Sequence, residues 1–329
     1  MAVVKPLLSV SNLRTYFYTS RGIVRAVDGI SLQVQRGVSV GLVGESGSGK
    51  TVTALSVMRL VPMPPGKIIE GSIHFNERDI LSLPRSRLGS IRGREISMVF
   101  QDPMTFLNPV MKIGDQITET LMLHQKIGRA KAWRLAIERL ESVGIPSPGN
   151  AMRSYPHELS GGMRQRVLIT IAISCNPSLL ILDEPTTALD VTVQAQILEL
   201  ISSIKEMTGV SLLLITHDLG IVAEVCDEVY VMYAGKIVEH ADVFELYDNP
   251  LHPYTRGLLE SVLSIDEFKR KLVSIEGSVP NLLDPPRGCR FHPRCSLATK
   301  NTCSEQEPPL AMMPNRHEVA CWLHRVKKN

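Results

Sequence analysis

The chain has 329 residues, 44% hydrophobic and 21% charged, the balance of a folded globular protein rather than a disordered or fibrous one. Its formal net charge of +3 gives no electrostatic reason to expect a nucleic-acid partner. The longest apolar runs, Val167 to Ile173 and Leu212 to Ile215, fall far short of the ~20 residues of a membrane-spanning helix.

The opening Met1-Ala2-Val3-Val4-Lys5-Pro6 lacks the apolar stretch of a signal peptide, so the expected location is cytoplasmic. Residues 7–17 have the pattern of a strand, and Ile30-Ser31-Leu32-Gln33-Val34 alternates apolar and polar as a second strand does. Ser39 to Val43 predicts a short buried strand running into a glycine-rich turn. A helix is expected from about Lys50 to Leu60, broken by Pro62-Met63-Pro64-Pro65-Gly66. Residues 113–143 carry helical periodicity, with Ala132, Leu135, Ala136, Arg139 and Leu140 on one face. That stretch reads as a helical subdomain, about residues 102–165, inserted between two strand-rich halves. Leu179–Leu182 and Leu212–Ile215 suit a buried parallel sheet, with an amphipathic helix from Gln194 to Met207 between them. Strands alternating with helices predict an α/β fold with right-handed crossovers. From about residue 246 the pattern turns irregular and proline-rich. The expected division is therefore a domain of residues 1–245 and an extension of residues 246–329.

Gly44-Glu45-Ser46-Gly47-Ser48-Gly49-Lys50-Thr51 matches Gly-x-x-x-x-Gly-Lys-Ser/Thr at every required position, between a strand and a helix. Glycines let successive N–H groups turn inward onto phosphate oxygens, and the helix start adds partial positive charge. Gly44, Ser46, Gly47, Ser48, Gly49 and Val52 are expected to frame the nucleotide, with Lys50 on the β and γ phosphates and Thr51 on magnesium. Leu179-Leu180-Ile181-Leu182-Asp183-Glu184 predicts a buried strand ending in two carboxylates. Asp183 then holds magnesium, and Glu184 orients and activates water as general base. Paired carboxylates at a strand end can equally cap the next helix.

Leu159-Ser160-Gly161-Gly162-Met163-Arg164-Gln165-Arg166 resembles the signature motif of ATP-binding cassette (ABC) proteins, and this narrows a general P-loop NTPase (RecA-like) reading to that family. The resemblance implies a head-to-tail dimer in which Ser160, Gly161 and Gly162 of one subunit close over ATP held by the other. Phe100-Gln101-Asp102-Pro103 is similar to the Q-loop, which implies that Gln101 contacts magnesium and couples to a permease. Thr186-Thr187-Ala188-Leu189-Asp190 resembles the D-loop, and Thr216-His217-Asp218 the switch histidine, placing His217 at the γ-phosphate. The family's adenine-stacking aromatic matches Phe17 best, with Tyr16 and Tyr18 as rivals and a core position as the structural alternative. Six motifs in order cover residues 7 to about 240. Asn249-Pro250-Leu251-His252-Pro253-Tyr254-Thr255 and Cys289-Arg290-Phe291-His292-Pro293-Arg294-Cys295 resemble the tail of dipeptide and oligopeptide importer ATPases, a segment shared with some nickel importers.

Cys175 and Cys226 lie in apolar segments and are expected as buried thiols. Cys289, Cys295, Cys303 and Cys321 are separated by five, seven and seventeen residues, with no close Cys-x-x-Cys pair. Four thiolates hold either a zinc ion or a 4Fe–4S cluster, and these long spacings favour the cluster, as the family resemblance also implies. No bound metal is the third alternative. His292, His317 and His324 are nearby candidate substitutes, otherwise exposed.

The expectation is an ATPase subunit at the cytoplasmic face of a membrane. It would couple ATP and Mg2+ chemistry to peptide import through two permease subunits, with an identical or paralogous ATPase partner and an extracytoplasmic peptide-binding protein acting indirectly. The rivals are a nickel importer, a soluble ABC ATPase of translation or DNA repair, and a metal-binding regulator. One phosphate loop and an insert of ordinary length disfavour the second, and six nucleotide motifs disfavour the third.

Overall fold

The structure, a computed structural model, describes residues 5–187, 189–263 and 275–324. In chain order its strands are β1 (Leu8–Thr19), β2 (Gly22–Val34), β3 (Ser39–Val43), β4 (Gly66–Phe75), β5 (Arg78–Asp79), β6 (Ile96–Val99), β7 (Leu179–Asp183), β8 (Ser211–Thr216), β9 (Glu228–Tyr233), β10 (Lys236–Asp242), β11 (Ala311–Met312) and β12 (Glu318–Val319). The chain divides into two units, residues 1–81 with 215–329, and residues 82–214.

In the first unit, β1 and β2 form a hairpin whose register runs from Leu8↔Val34 to Thr19↔Gly22. β4 pairs with the other edge of β1, and β5 with β4, giving the antiparallel order β2-β1-β4-β5. Alternation of buried and exposed residues along β1 and β2 is what a sheet with one solvated face requires. These two strands were legible from their pattern, yet they belong to a separate antiparallel sheet rather than to the parallel one. β3 is buried at all five positions and pairs parallel with β9, from Val40↔Glu228 to Val43↔Val231. Burial on both faces explains its unbroken apolar run. The helix Leu219–Val225 packs close on this strand: a Cβ on Gly41 would lie 2.9 Å from Val222 Cγ1.

β10 returns antiparallel to β9 around Ala234-Gly235, and the chain beyond residue 300 adds two short strands, β12 on β10 and β11 on β12. The extension is thus less irregular than its composition suggests. It also carries the helix Pro253–Leu263.

In the second unit β6 and β7 pair parallel, from Ile96↔Leu179 to Val99↔Leu182. The periodic stretch 113–143 is two helices, Ile113–Gln125 and Arg129–Ser142, broken where Lys126 takes a left-handed φ of 54° before Gly128. Ala132, Ala136 and Leu140 are buried as the periodicity requires, while Leu135 and Arg139 sit at the edge of that face, half-buried. The helix Val191–Thr208 buries Ile197, Leu198, Leu200, Ile201 and Ile204, and ends at Gly209 with φ 68°. Among the described residues no helix is long and apolar enough to cross a membrane.

Candidate nucleotide-binding site

The phosphate loop leaves β3 at Gly44 and enters the helix Lys50–Val57. Gly44 (φ 154°) and Gly49 (φ 108°) are the positions where only glycine fits. A Cβ there would lie 2.0 Å from the Met232 carbonyl oxygen and 2.2 Å from that of Ala26. Close backbone approach, as much as the turn itself, fixes these two glycines. Lys50 is 4% exposed and folds back along the loop, its Nζ donating to the carbonyl oxygens of Gly44 at 2.7 Å and Glu45 at 3.0 Å. The Ser48 hydroxyl is buried with no hydrogen-bond partner among the described residues. A buried polar group without a partner is costly, and a phosphate oxygen would satisfy it. Thr51 and Val52 follow in the helix's first turn.

The same unit places His217 at the exposed end of β8, before the helix Leu219–Val225, which Asp218 caps by accepting from the Gly220 N–H at 2.7 Å. Of the aromatic candidates, Tyr16 donates its hydroxyl to Asp28 at 2.6 Å, Tyr18 is 49% exposed, and Phe17 is half-buried in register with Gly66.

In the second unit Asp183 closes β7, 2% exposed. Glu184 follows with φ 47°, the left-handed region that costs a non-glycine residue strain of the kind stored at functional sites. Its Oε2 accepts from Gln101 Nε2 at 2.9 Å and from the Thr187 hydroxyl at 2.9 Å. The structure therefore brings together Gln101 and Glu184, which are 83 positions apart. Neither carboxylate of the pair caps the following helix; Asp190 does, accepting from the Val193 N–H at 3.0 Å. Ala188, inside the same motif, lies outside the described residues. Ser160 caps the helix Gly161–Ile173, accepting from the Met163 N–H at 3.3 Å. Ser160 and Gly161 are exposed, while a Cβ on Gly162 would lie 2.7 Å from Val193. Thr51 in the first unit, and Gln101 and Asp183 in the second, each carry an oxygen donor of the kind magnesium takes.

The C-terminal extension, the arm of residues 246–329, supplies residues that motif reasoning gave no role. Tyr254 Oη accepts from the Glu45 backbone N–H at 2.8 Å, and Arg294 meets the Glu45 carboxylate at 2.6 and 3.0 Å. A carboxylate inside a phosphate loop, which calls for a cation, was the signal available. Arg290 is buried against Asp28 and the Ala234 carbonyl. Burial alone would raise the Asp28 carboxyl. The hydrogen bond from Tyr16 and the charges of Lys236, Arg290 and Arg14 outweigh it and hold the group below the usual range.

Cys289, Cys295, Cys303 and Cys321 line one pocket with Phe291 and Trp322. Burial pushes the Cys289 thiol up to about 11, reinforced by the other three sulfurs, and raises Cys295 and Cys321 as well. Yet among the described residues no group of three or more His, Cys, Asp or Glu is disposed to hold a metal ion. The four thiols converge on this one pocket without making up such a group. The substitute histidines are used otherwise. His317 is buried against Glu239 at 2.7 Å, His292 Nδ1 lies 2.9 Å from the Cys289 carbonyl, and His324 Nε2 lies 3.0 Å from that of Leu251. Of the other two cysteines, Cys226 is buried and Cys175 half-buried.

A P-loop at the end of a buried parallel strand, an Asp-Glu strand end and a serine-capped glycine helix define an ABC-type ATPase. Residues 27–187 match the ABC transporter family model, and residues 238–303 match the model for the C-terminal region of oligopeptide/dipeptide transporters. The chain is 51% identical over 318 residues to the oligopeptide transport ATP-binding protein AppD of Bacillus subtilis, covering 97% of each. It is 49% identical to OppD of the same organism, covering 98% of this chain and 90% of that one. It is 46% identical to OppD of Salmonella typhimurium, covering 94% and 92%. Among solved structures, the cassette MJ0796, a dimer bound to ADP and Pi, matches 72% of this chain and 98% of its own with a TM-score of 0.65 and 24% identity. The cbiO1 subunit from Clostridium perfringens matches 74% and 91% with a TM-score of 0.62 and 26% identity. The chain belongs to the oligopeptide and dipeptide transport ATP-binding proteins of the ABC transporter family. It is an ATP-hydrolysing transporter subunit.

Proposed function

We propose that this subunit couples ATP binding and hydrolysis to uptake of dipeptides or oligopeptides through two partner permeases. The observation that carries this reading is the match of residues 238–303 to the oligopeptide/dipeptide C-terminal region, joined to near full-length similarity with peptide-transport ATPases. Peptides reach the permeases from an extracytoplasmic binding protein, and the subunit works peripherally on the cytoplasmic face. Residues 1–245 form the ATPase domain, with residues 102–165 as its inserted helical subdomain, and residues 246–329 form the extension. Uptake of labelled di- and oligopeptides by cells lacking this chain tests the substrate. Retained uptake of all peptides would overturn it.

Within the site, Gly44, Ser46, Gly47, Ser48, Gly49 and Val52 frame the phosphates, and Lys50 moves from its carbonyl contacts onto the β and γ oxygens. Phe17 stacks on adenine. Thr51, Gln101 and Asp183 hold magnesium, which offsets the charge of the phosphates. Glu184, already aimed by Gln101 and Thr187, takes the proton of the attacking water, and His217 contacts the γ-phosphate. Ser160, Gly161 and Gly162 act on the ATP of a second ATPase chain, identical or paralogous. The exposure of Ser160 and Gly161 supports this. Mixing a Lys50→Ala chain with a Ser160→Arg chain restores one composite site if homodimers form. No recovery at any concentration points to an obligate paralogue.

For the cysteine arm the proposed ligand is a 4Fe–4S cluster rather than zinc, supported by the convergence of four thiols on one pocket. No catalytic step depends on it. Anaerobically prepared protein should carry iron and sulfide in equal amounts. Stoichiometric zinc, or no metal, would overturn it.

A further inference from the structure

Glu45 has no role in that scheme. It places a carboxylate between Gly44 and Ser46, in the loop that receives a polyanion. Left uncompensated, this charge would oppose the phosphates, because like charges a few Å apart disfavour one another.

The arm supplies the compensation. Arg294 approaches Glu45 with both terminal nitrogens, Nη1 to Oε2 at 2.6 Å and Nη2 to Oε1 at 3.0 Å, the fork geometry that guanidinium makes with carboxylate. The Arg294 side chain is 6% exposed and is itself held in place. Its Nε donates to the Glu276 carbonyl at 2.9 Å, and Nη2 donates to that of Ile275 at 3.1 Å. The guanidinium carbon lies 5.8 Å from the Tyr233 ring centroid and 6.0 Å from that of Phe291. Tyr254, itself buried, accepts the Glu45 N–H. Main chain and side chain of one loop residue are therefore gripped by residues 209 and 249 positions later. An arm that only needed anchoring to the cassette has many other surfaces; this one grips the phosphate loop at its one acidic residue.

We propose that Arg294 is a positioning residue of the ATP site: by neutralising and orienting Glu45 it sets nucleotide affinity, and the C-terminal arm is thereby part of that site. The proposal rests on the assignment of residues 44–51 to the ATP phosphates.

The test is a charge-rescue cycle in the full-length chain. Its readouts are Kd for ATP, from displacement of a fluorescent ATP analogue, together with KM and kcat of hydrolysis. Arg294→Gln should weaken Kd and raise KM by about 10-fold, a typical coupling between sites, with kcat changed less. Arg294→Lys should fall between it and the parent, having the charge without the fork. Glu45→Gln should tighten ATP binding, since it deletes the opposing charge. In that background Arg294→Gln should return Kd to about the parental value, because the double variant, like the parent, carries no net charge at this pair. Rescue of this kind separates a charge effect from simple loss of arm packing, which Glu45→Gln cannot repair. A double variant as weak as Arg294→Gln alone, or an Arg294→Gln chain with parental Kd, would overturn the proposal. If Arg294→Gln does not fold, Glu45→Gln decides alone: tighter binding supports it, and unchanged or weaker binding overturns it. A parent chain that binds no ATP would instead overturn the phosphate-loop assignment, and this inference with it.

Discussion

The phosphate loop and the C-terminal arm are held by different physics. The loop is shaped by backbone: glycines that admit the Met232 and Ala26 carbonyls, and a lysine parked on the loop's own carbonyl oxygens. The arm is held by pairs of charges brought together over long separations. Arg290 meets Asp28 and Arg294 meets Glu45, both largely out of water, and a buried His317–Glu239 hydrogen bond adds to them. A backbone turn tolerates changes around it as long as the glycines stay. A buried charge pair does not, because removing one partner strands the other. Substitutions in the two regions should therefore fail in different ways.

The largest effect belongs to the motif residues and should appear in rate. Glu184→Gln keeps the shape of the side chain but cannot take a proton, and should lower kcat by ~10²–10⁴ while ATP binding persists. Turnover at the parental rate would remove Glu184 from the role of base. Lys50→Ala should instead abolish nucleotide binding, measured by the same fluorescent displacement. Neither change should move the thermal midpoint of the apo chain as far as a substitution in the arm's charge pairs.

In the arm the readout should be stability. Asp28→Asn leaves the Arg290 guanidinium buried with its carboxylate partner gone, and should cost about 3–5 kcal/mol in denaturant unfolding. Protease cleavage should then begin in the arm before the cassette. If Asp28→Asn unfolds at the parental midpoint, the arm is held by apolar packing, and the contrast with the loop disappears.

This contrast also explains what could be seen without coordinates. Elements whose shape follows from local pattern were legible: β3 spans Ser39–Val43 as its apolar run indicates, and the helix Val191–Thr208 surrounds the amphipathic stretch. The family was legible because phosphate chemistry demands those residue types at that spacing, and residues 27–187 match the ABC transporter model. Contacts across 200 positions were not. Nothing local to Arg294 says that its partner is Glu45, and nothing local to Glu318 says that it adds a strand to β10. The four cysteines were legible as a group from their crowding late in the chain, and the fold brings their thiols to a shared pocket.

The smallest effect lies at that added strand. His240 on β10 faces Glu318 on β12 in register, with Nδ1 3.0 Å from the carboxylate and Nε2 3.5 Å from Glu228. Tyr230 stacks on the imidazole at a centroid distance of 3.8 Å. Burial alone would lower the His240 pKa, but the two carboxylates outweigh it and the pKa is raised above its ordinary value. A histidine with a raised folded pKa contributes stability that is fully present below its unfolded pKa of about 6.5 and is lost as pH rises through the folded value. The seam between β10 and β12 should therefore loosen on the alkaline side of pH 6.5, not the acid side. Both carboxylates are partly exposed, at 27% and 38%, so solvent screens the pair, and the loss should stay below about 1 kcal/mol. Amide exchange on β12, followed from pH 6 to 9 after correction for intrinsic rates, should show protection falling in the parent and flattening in Glu318→Gln. Protection that instead rises with pH would mean that His240 is neutral in the fold, and that the arm's outer strand is not held by charge.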